Sequence, residues 1–201
     1  MEKFKTVTSK VTPLPMKDVD TDLIIPAQFL TSISREGYGV NLFKRLKETD
    51  PNFPLNQEKY QGSQILLVDS NFGCGSSREH AVWALAGAGF KVIIGKSFAD
   101  IFSGNSGKNG LLLVELTDDQ IDKMLELGKK ETYSVSVDLA EQEVKLPSGE
   151  EYSFEYDSFR KHCLLNGLDD IDYIRSFEGD IDQFRTEQKK HQRFSLLTEA
   201  Q

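Results

Sequence analysis

The chain has 201 residues, a formal net charge of −8, 38% apolar residues and 28% charged residues. That length holds one large domain with room for an extension, and the composition is that of a soluble globular protein. The acid excess, with no basic stripe, argues against a nucleic-acid binder, and no apolar run approaches the roughly 18 residues of a membrane span.

The start, Met1-Glu2-Lys3-Phe4-Lys5, lacks the apolar core of a signal peptide, so a cytoplasmic location is expected. Residues 3–11 alternate loosely through Phe4 and Val7 and suggest a first strand, which Pro13 and Pro15 should end. Asp18, Asp20 and Asp22 alternate in the manner of a calcium loop. That pattern needs glycine at its sixth place and glutamate at its twelfth, where this chain has Leu23 and Phe29. Residues 31–62 read as a polar loop punctuated by Gly37, Gly39, Pro51 and Pro54, with short helical pieces near Phe29-Leu30 and Leu42-Phe43. So long a segment is a candidate to close over a pocket.

From Ile65 the pattern sharpens. A buried strand over 65–69 leads to a helix over 77–88, ended by Gly87 and Gly89. A strand over 90–94 precedes a helix over 97–104, with Phe98, Ile101 and Phe102 on one face, and Gly104, Gly107 and Gly110 punctuate a turn. A strand over 111–115 precedes a helix over 118–127, opened by the capping box Thr117–Gln120 and carrying Ile121, Met124 and Leu125 at helical spacing. This β-α-β-α-β-α order predicts a parallel sheet with right-handed crossovers, buried on both faces. Residues 133–139, 143–146 and 152–154 then read as an antiparallel meander. A helix over 157–166 closed by Gly167 follows, then a helix starting at Asp169-Asp170 and a polar tail from Gly179 that reads as helical. The expected class is α/β, a parallel core with antiparallel hairpins.

The central stretch is Asn71-Phe72-Gly73-Cys74-Gly75-Ser76-Ser77-Arg78-Glu79-His80, between a strand and a helix. Glycines let a backbone come close, and free N–H groups at a helix start favour an anion, so a carboxylate or phosphate is the expected ligand. Ser76 with Glu79 three residues later also forms a capping box, in which the serine merely caps the helix. Alternatively, a serine oxygen among helix N–H donors can act as a general base, with Ser77 and Arg78 clamping a carboxylate. The spacing is neither a nucleophile elbow nor a P-loop, since no Gly-Lys-Ser/Thr follows. The two cysteines, Cys74 and Cys163, make no disulfide framework or zinc site; Cys74 reads as a small buried residue or as a reactive thiol near a helix start, and His162-Cys163 as a structural pair on a helix rather than a metal site.

Residues Asn71 to Ala81 resemble the signature of the small-subunit family of 3-isopropylmalate dehydratase, relatives of the aconitase swivelling domain. Asp20-Thr21-Asp22-Leu23-Ile24-Ile25-Pro26-Ala27 with Phe29-Leu30 is similar to the family's first motif. Phe98-Ala99-Asp100-Ile101-Phe102 with Asn105 and Asn109-Gly110-Leu111 is similar to the middle one, and Phe159 with Cys163 to Ile171 to the last. The resemblance implies a swivelling β/β/α three-layer fold over residues 1–175, whereas the tail over 176–201 matches none of the family's motifs and is expected as a helical extension. It implies a hydro-lyase of leucine biosynthesis that isomerises 2-isopropylmalate to 3-isopropylmalate through an alkene. By the same resemblance Ser76 is the catalytic base, and Ser77, Arg78, Asp22 and Arg35 bind the hydroxy-acid substrate. The loop over 28–40 would discriminate its side chain. The implied partner is a large subunit carrying a [4Fe–4S] cluster, which two thiols on this chain cannot hold. Two other readings use the same residues: a related dehydratase for homoaconitate or a methylated malate, and a non-catalytic dicarboxylate-binding module.

Overall fold

The computed structural model describes residues 1–30 and 36–198, with side-chain surroundings described through residue 188. Seven strands are β1 (Val7–Leu14), β2 (Ile65–Val68), β3 (Val92–Gly95), β4 (Leu112–Glu115), β5 (Ser134–Asp138), β6 (Glu143–Lys145) and β7 (Glu151–Ser153). The helices are α1 (Thr21–Ile24), α2 (Lys44–Thr49), α3 (Glu79–Gly87), α4 (Asp100–Lys108), α5 (Asp118–Lys130), α6 (Ser158–Asn166), α7 (Asp170–Arg175) and α8 (Glu178–Thr198). Short 3-10 turns lie at Ala27–Phe29, Gly39–Asn41, Pro54–Asn56 and Glu58–Tyr60. Among the described residues no helix is long and apolar enough to cross a membrane.

The strands form one sheet in the order β4-β3-β2-β1-β5-β6-β7. Its β4-β3-β2-β1 half is parallel and its β1-β5-β6-β7 half antiparallel. β1 joins the halves by changing partner along its length. Val7 to Lys10 pair with β5, and Val11 to Leu14 pair with β2. This explains why the first strand runs to Leu14 rather than ending before Pro13. Past Lys10 the β5 side of β1 is free of that partner, and a proline, lacking an N–H, is tolerated on such an edge. Gly128 of α5 packs there: a Cβ on it would lie 3.4 Å from Pro13 Cβ.

The parallel strands are buried on both faces, so alternate residues serve two cores. Leu66, Val68, Ile93 and Leu113 face one core with α3, α4 and the 36–62 segment. Ile65, Leu67, Val92, Ile94, Leu112 and Val114 face the other, with α5 and the antiparallel strands. Ile121, Met124 and Leu125 are buried there, and the Thr117–Gln120 capping box opens α5. The described part of the 31–62 stretch is packed down rather than open, because Tyr38, Leu42, Phe43 and Phe53 are buried in the first core.

Two expectations around α4 fail. The helix runs on through Gly104 and Gly107 to Lys108 instead of turning at them. Gly107 lets Arg160 of α6 approach: a Cβ would meet Arg160 Cδ at 3.3 Å. Ile101 is 54% exposed while Phe102 is buried, so the two do not share a face. Gly167 closes α6 in the left-handed conformation, as the sequence suggests.

Candidate active site

The turn after β2 is held from two sides. Asn71 (φ 56°), Gly73 (φ 78°) and Gly75 (φ 90°) reverse the backbone. Only glycine suits position 73, where a Cβ would collide with the Phe102 ring. From the segment after β1, Asp18 N–H donates to Ser70 O (3.1 Å) and Thr21 N–H to Cys74 O (2.9 Å), while Val19 O accepts from Gly73 N–H (2.8 Å). From the segment after β3, Ser97 O accepts from Phe72 N–H (3.2 Å), and Ala99 N–H donates to Phe72 O (3.1 Å). The turn therefore sits at the carboxyl ends of parallel strands, where open α/β sheets bind ligands.

The three alternating aspartates each have a separate hydrogen-bonded task. Asp18 Oδ1 accepts from Asn71 Nδ2 at 2.7 Å. Asp20 caps α1, accepting from Leu23 N–H at 2.6 Å. Asp22 Oδ1 accepts from Arg78 Nη1 at 2.5 Å and from Ala27 N–H at 3.1 Å. The guanidinium of Arg78 holds the Asp22 carboxyl below the usual carboxylate range, and the Ala27 N–H adds to this. Asp22 is thus already bonded to Arg78, one of the residues expected to bind substrate with it.

The capping-box expectation for Ser76 fails. α3 begins at Glu79, and its N-cap is Arg78, whose side chain caps nothing. Arg78 is extended (φ −104°, ψ 102°), and its N–H bonds back to Ser76 O at 2.8 Å, which keeps the turn open beyond Ser76. The Ser76 carbonyl also accepts from the buried Thr21 Oγ1 at 3.0 Å. The backbone of Ser76 is pinned, while its hydroxyl and that of Ser77 are exposed and make no hydrogen bond among the described residues. The helix N–H groups therefore do not surround Ser76 Oγ; they begin farther along, past Arg78, without a side-chain cap. Such an end favours an anion.

A further network escaped the sequence reading. Asn109 Nδ2 donates to Glu79 Oε1 (2.7 Å) and to Asn105 O (2.8 Å), and Asn109 Oδ1 accepts from Trp83 Nε1 (3.0 Å). One amide thus ties the first turn of α3 to the end of α4. The available signal was an Asn-Gly pair at a helix end.

Three of the four signature stretches meet at the turn, and the fourth does not. Cys163 is buried in α6, and Asp170 pairs with Arg160 (2.6 Å) and Lys108 (3.6 Å). Arg35 lies outside the described residues, as do residues 31–35 of the loop expected to discriminate substrates. In its described part Tyr38 is buried with its ring 5.2 Å from that of His80, and Val40 is 75% exposed. Burial, followed by the charges of Asp20 and Asp18, pushes the Cys74 thiol up, so it is not an activated thiolate. Among the described residues no group of three or more His, Cys, Asp and Glu side chains is placed to hold a metal ion.

A model of the aconitase C-terminal domain matches residues 1–119, and a LeuD_N model matches residues 122–158. The 3-isopropylmalate dehydratase small subunit of Francisella philomiragia is 50% identical over 189 residues, covering 94% of this chain and 100% of that protein. The protein of the same name from Acidobacterium capsulatum is 52% identical, covering 93% of this chain and 91% of its own. That of Neisseria meningitidis serogroup C is 47% identical, covering 96% and 97%. The crystal structure of 3-isopropylmalate dehydratase from Methanocaldococcus jannaschii superposes with a TM-score of 0.66 at 26% identity, covering 89% of this chain and 98% of that one. With half of its residues shared with these relatives over nearly its whole length, the chain belongs to the family of 3-isopropylmalate dehydratase small subunits.

Proposed function

We propose that this chain contributes half of an active site. As the small subunit of 3-isopropylmalate dehydratase, it serves the isomerisation of 2-isopropylmalate to 3-isopropylmalate by dehydration and rehydration in leucine biosynthesis. The observation that carries the half-site reading is the state of Ser76: its backbone is pinned while its hydroxyl faces solvent. Cavities of about 850 and 640 Å³ lie elsewhere on the chain, and neither is lined by Ser76, Ser77 or Arg78. The walls that would enclose a substrate at the turn belong to a large subunit.

In this reading Arg78, oriented by Asp22, and Ser77 bind and orient a substrate carboxylate. Ser76 Oγ accepts the proton from the carbon next to a carboxylate as the hydroxyl of the neighbouring carbon departs, and returns a proton when water adds back with the opposite regiochemistry. Without a donor to its oxygen among the described residues, Ser76 depends on the partner and the bound substrate to become basic. The family's [4Fe–4S] cluster does not fit this chain, because Cys74 and Cys163 are two thiols in separate elements. It is assigned to the large subunit, where it supplies Lewis acidity toward the substrate hydroxyl.

Co-expression with an iron–sulfur large subunit is expected to yield turnover of 2-isopropylmalate in preference to homoaconitate, and the chain alone is expected to be inactive. Turnover by the isolated chain, or a preference for homoaconitate in the complex, would overturn the reading.

A further inference from the structure

α1 meets the serine turn through two consecutive side chains. Asp22 holds the Arg78 guanidinium, and Thr21, one residue earlier, holds the backbone of Ser76. Thr21 is 2% exposed, and its Oγ1 donates to Ser76 O at 3.0 Å across 55 positions of sequence. Its N–H donates to Cys74 O at 2.9 Å. Between those two carbonyls lies Gly75, with φ 90°, where a Cβ would be 3.4 Å from Asp20 Cβ and 3.7 Å from Thr21 Oγ1. The turn therefore rests directly on the start of α1. That helix is itself anchored: Ile24 and Ile25 are fully buried, and Ile24 O accepts from Phe43 N–H at 2.8 Å.

The two donors to Ser76 O do different work. The Arg78 N–H comes from two residues along the same turn and moves with it. The Thr21 hydroxyl comes from another element. From Gly75 to Ser77 it is the one hydrogen bond, among the described residues, that ties the turn to the body of the fold. Gly73 and Gly75 leave the flanking backbone free to rotate, whereas two donors on one carbonyl use both of its lone pairs and fix the peptide plane. The β-branched threonine has few rotamers to lose in doing so. We propose that Thr21 is a positioning residue for the reaction, its buried hydroxyl setting where Ser76 Oγ stands; this rests on the reading of Ser76 as the base. One short helix then places both halves of the chemistry, Thr21 the base and Asp22 the carboxylate clamp. Misplacing a reacting group by about 1 Å can cost on the order of 10²-fold in rate.

The test is a double-mutant cycle in the purified two-subunit enzyme acting on 2-isopropylmalate. Thr21→Val keeps the branched shape and the N–H bond to Cys74 but removes the hydroxyl. It is expected to lower kcat about tenfold or more with KM within about twofold, because the Arg78–Asp22 pair is untouched. Thr21→Ser restores the donor and is expected to recover kcat to within about threefold of wild type. In a Ser76→Ala background Thr21→Val is expected to cost nothing further, since a residue acting through Ser76 has nothing left to place. Equal fractional losses from Thr21→Val in both backgrounds would show a general structural role and overturn the proposal. Wild-type kcat in Thr21→Val, with turnover lost in Ser76→Ala, would overturn it while leaving the serine base in place. Near-normal turnover in Ser76→Ala would overturn both.

Discussion

Arg78 Nη1 lies 2.5 Å from Asp22 Oδ1, joining the N-cap of α3 to α1 across 56 positions of sequence. The pair fixes the direction of a guanidinium that would otherwise sample many rotamers, and it leaves the other guanidinium N–H groups for a ligand. In the proposed function Asp22 would therefore act on substrate through Arg78.

If Arg78 clamps a substrate carboxylate and Ser76 is the base, as proposed, Asp22→Asn in the two-subunit enzyme is expected to raise KM for 2-isopropylmalate about tenfold, with a smaller change in kcat. The pH dependence has a definite sign. The Asp22 carboxyl is depressed below 3.8, so its contribution is present above that value and is lost only as pH falls through the lower, folded-state pKa. Titration of Asp22 by carbon-13 NMR in the wild type and in Arg78→Ala checks this. A titration that does not move upward in Arg78→Ala would show that the guanidinium is not its cause.

Ser76→Ala separates two roles that sequence alone left level. A lost N-cap costs about 1 kcal/mol of stability, whereas a lost general base costs roughly 10²–10⁴-fold in turnover. Since Arg78 is the N-cap and Ser76 Oγ bonds to nothing among the described residues, the variant should keep its urea midpoint and lose turnover. A lowered midpoint with unchanged kcat would reverse the assignment.

Gly73→Ala should be among the most damaging single-methyl additions in the chain. It combines a positive φ with a Cβ that would collide with the Phe102 ring, and the ring is itself buried against Phe72 at 5.5 Å. A left-handed non-glycine residue costs about 1–2 kcal/mol and overpacking about 1–3 more. Gly104→Ala, in open space on α4, serves as the control and should be neutral or slightly stabilising. Chemical denaturation of the two variants measures the contrast.

Lys96 Nζ bridges Asp122 at 2.6 Å and Asp69 at 3.5 Å at the end of β3, with only 11% of its side chain exposed. Lys96→Met leaves Asp69, itself 12% exposed, without its cation, and is expected to lower stability. The Asp122 hydrogen bond, with smaller help from Asp69, raises the lysine above 10.5, so its stabilisation is complete below that pH and fades only at more alkaline values. Denaturation midpoints at neutral pH, with Asp69→Asn/Lys96→Met as the compensated pair, test it. Equal midpoints for Lys96→Met and wild type would refute the coupling.

The sequence by itself determined what depends on near neighbours. The apolar runs at 65–68, 92–94 and 112–114 mark strands buried on both faces, and the Thr117–Gln120 box and Gly167 mark helix ends, because each acts within a few residues. The signature around Ser76 likewise named the candidate residues. Sequence could not show that Asp18, Thr21 and Asp22 reach Asn71, the Ser76 carbonyl and Arg78, pairs separated by 53 to 56 positions. Nor could it show that Asn109 holds Glu79, or that Pro13 continues a strand. Those outcomes follow from β1 lying between β2 and β5, which brings the segment after β1 beside the turn after β2. The same packing delays the start of α3 to Glu79, because the Ser76 carbonyl is already shared by Thr21 Oγ1 and the Arg78 N–H. Tertiary hydrogen bonds thereby overrode the local capping preference and left the serine hydroxyl without a hydrogen bond among the described residues, at the open end of the sheet.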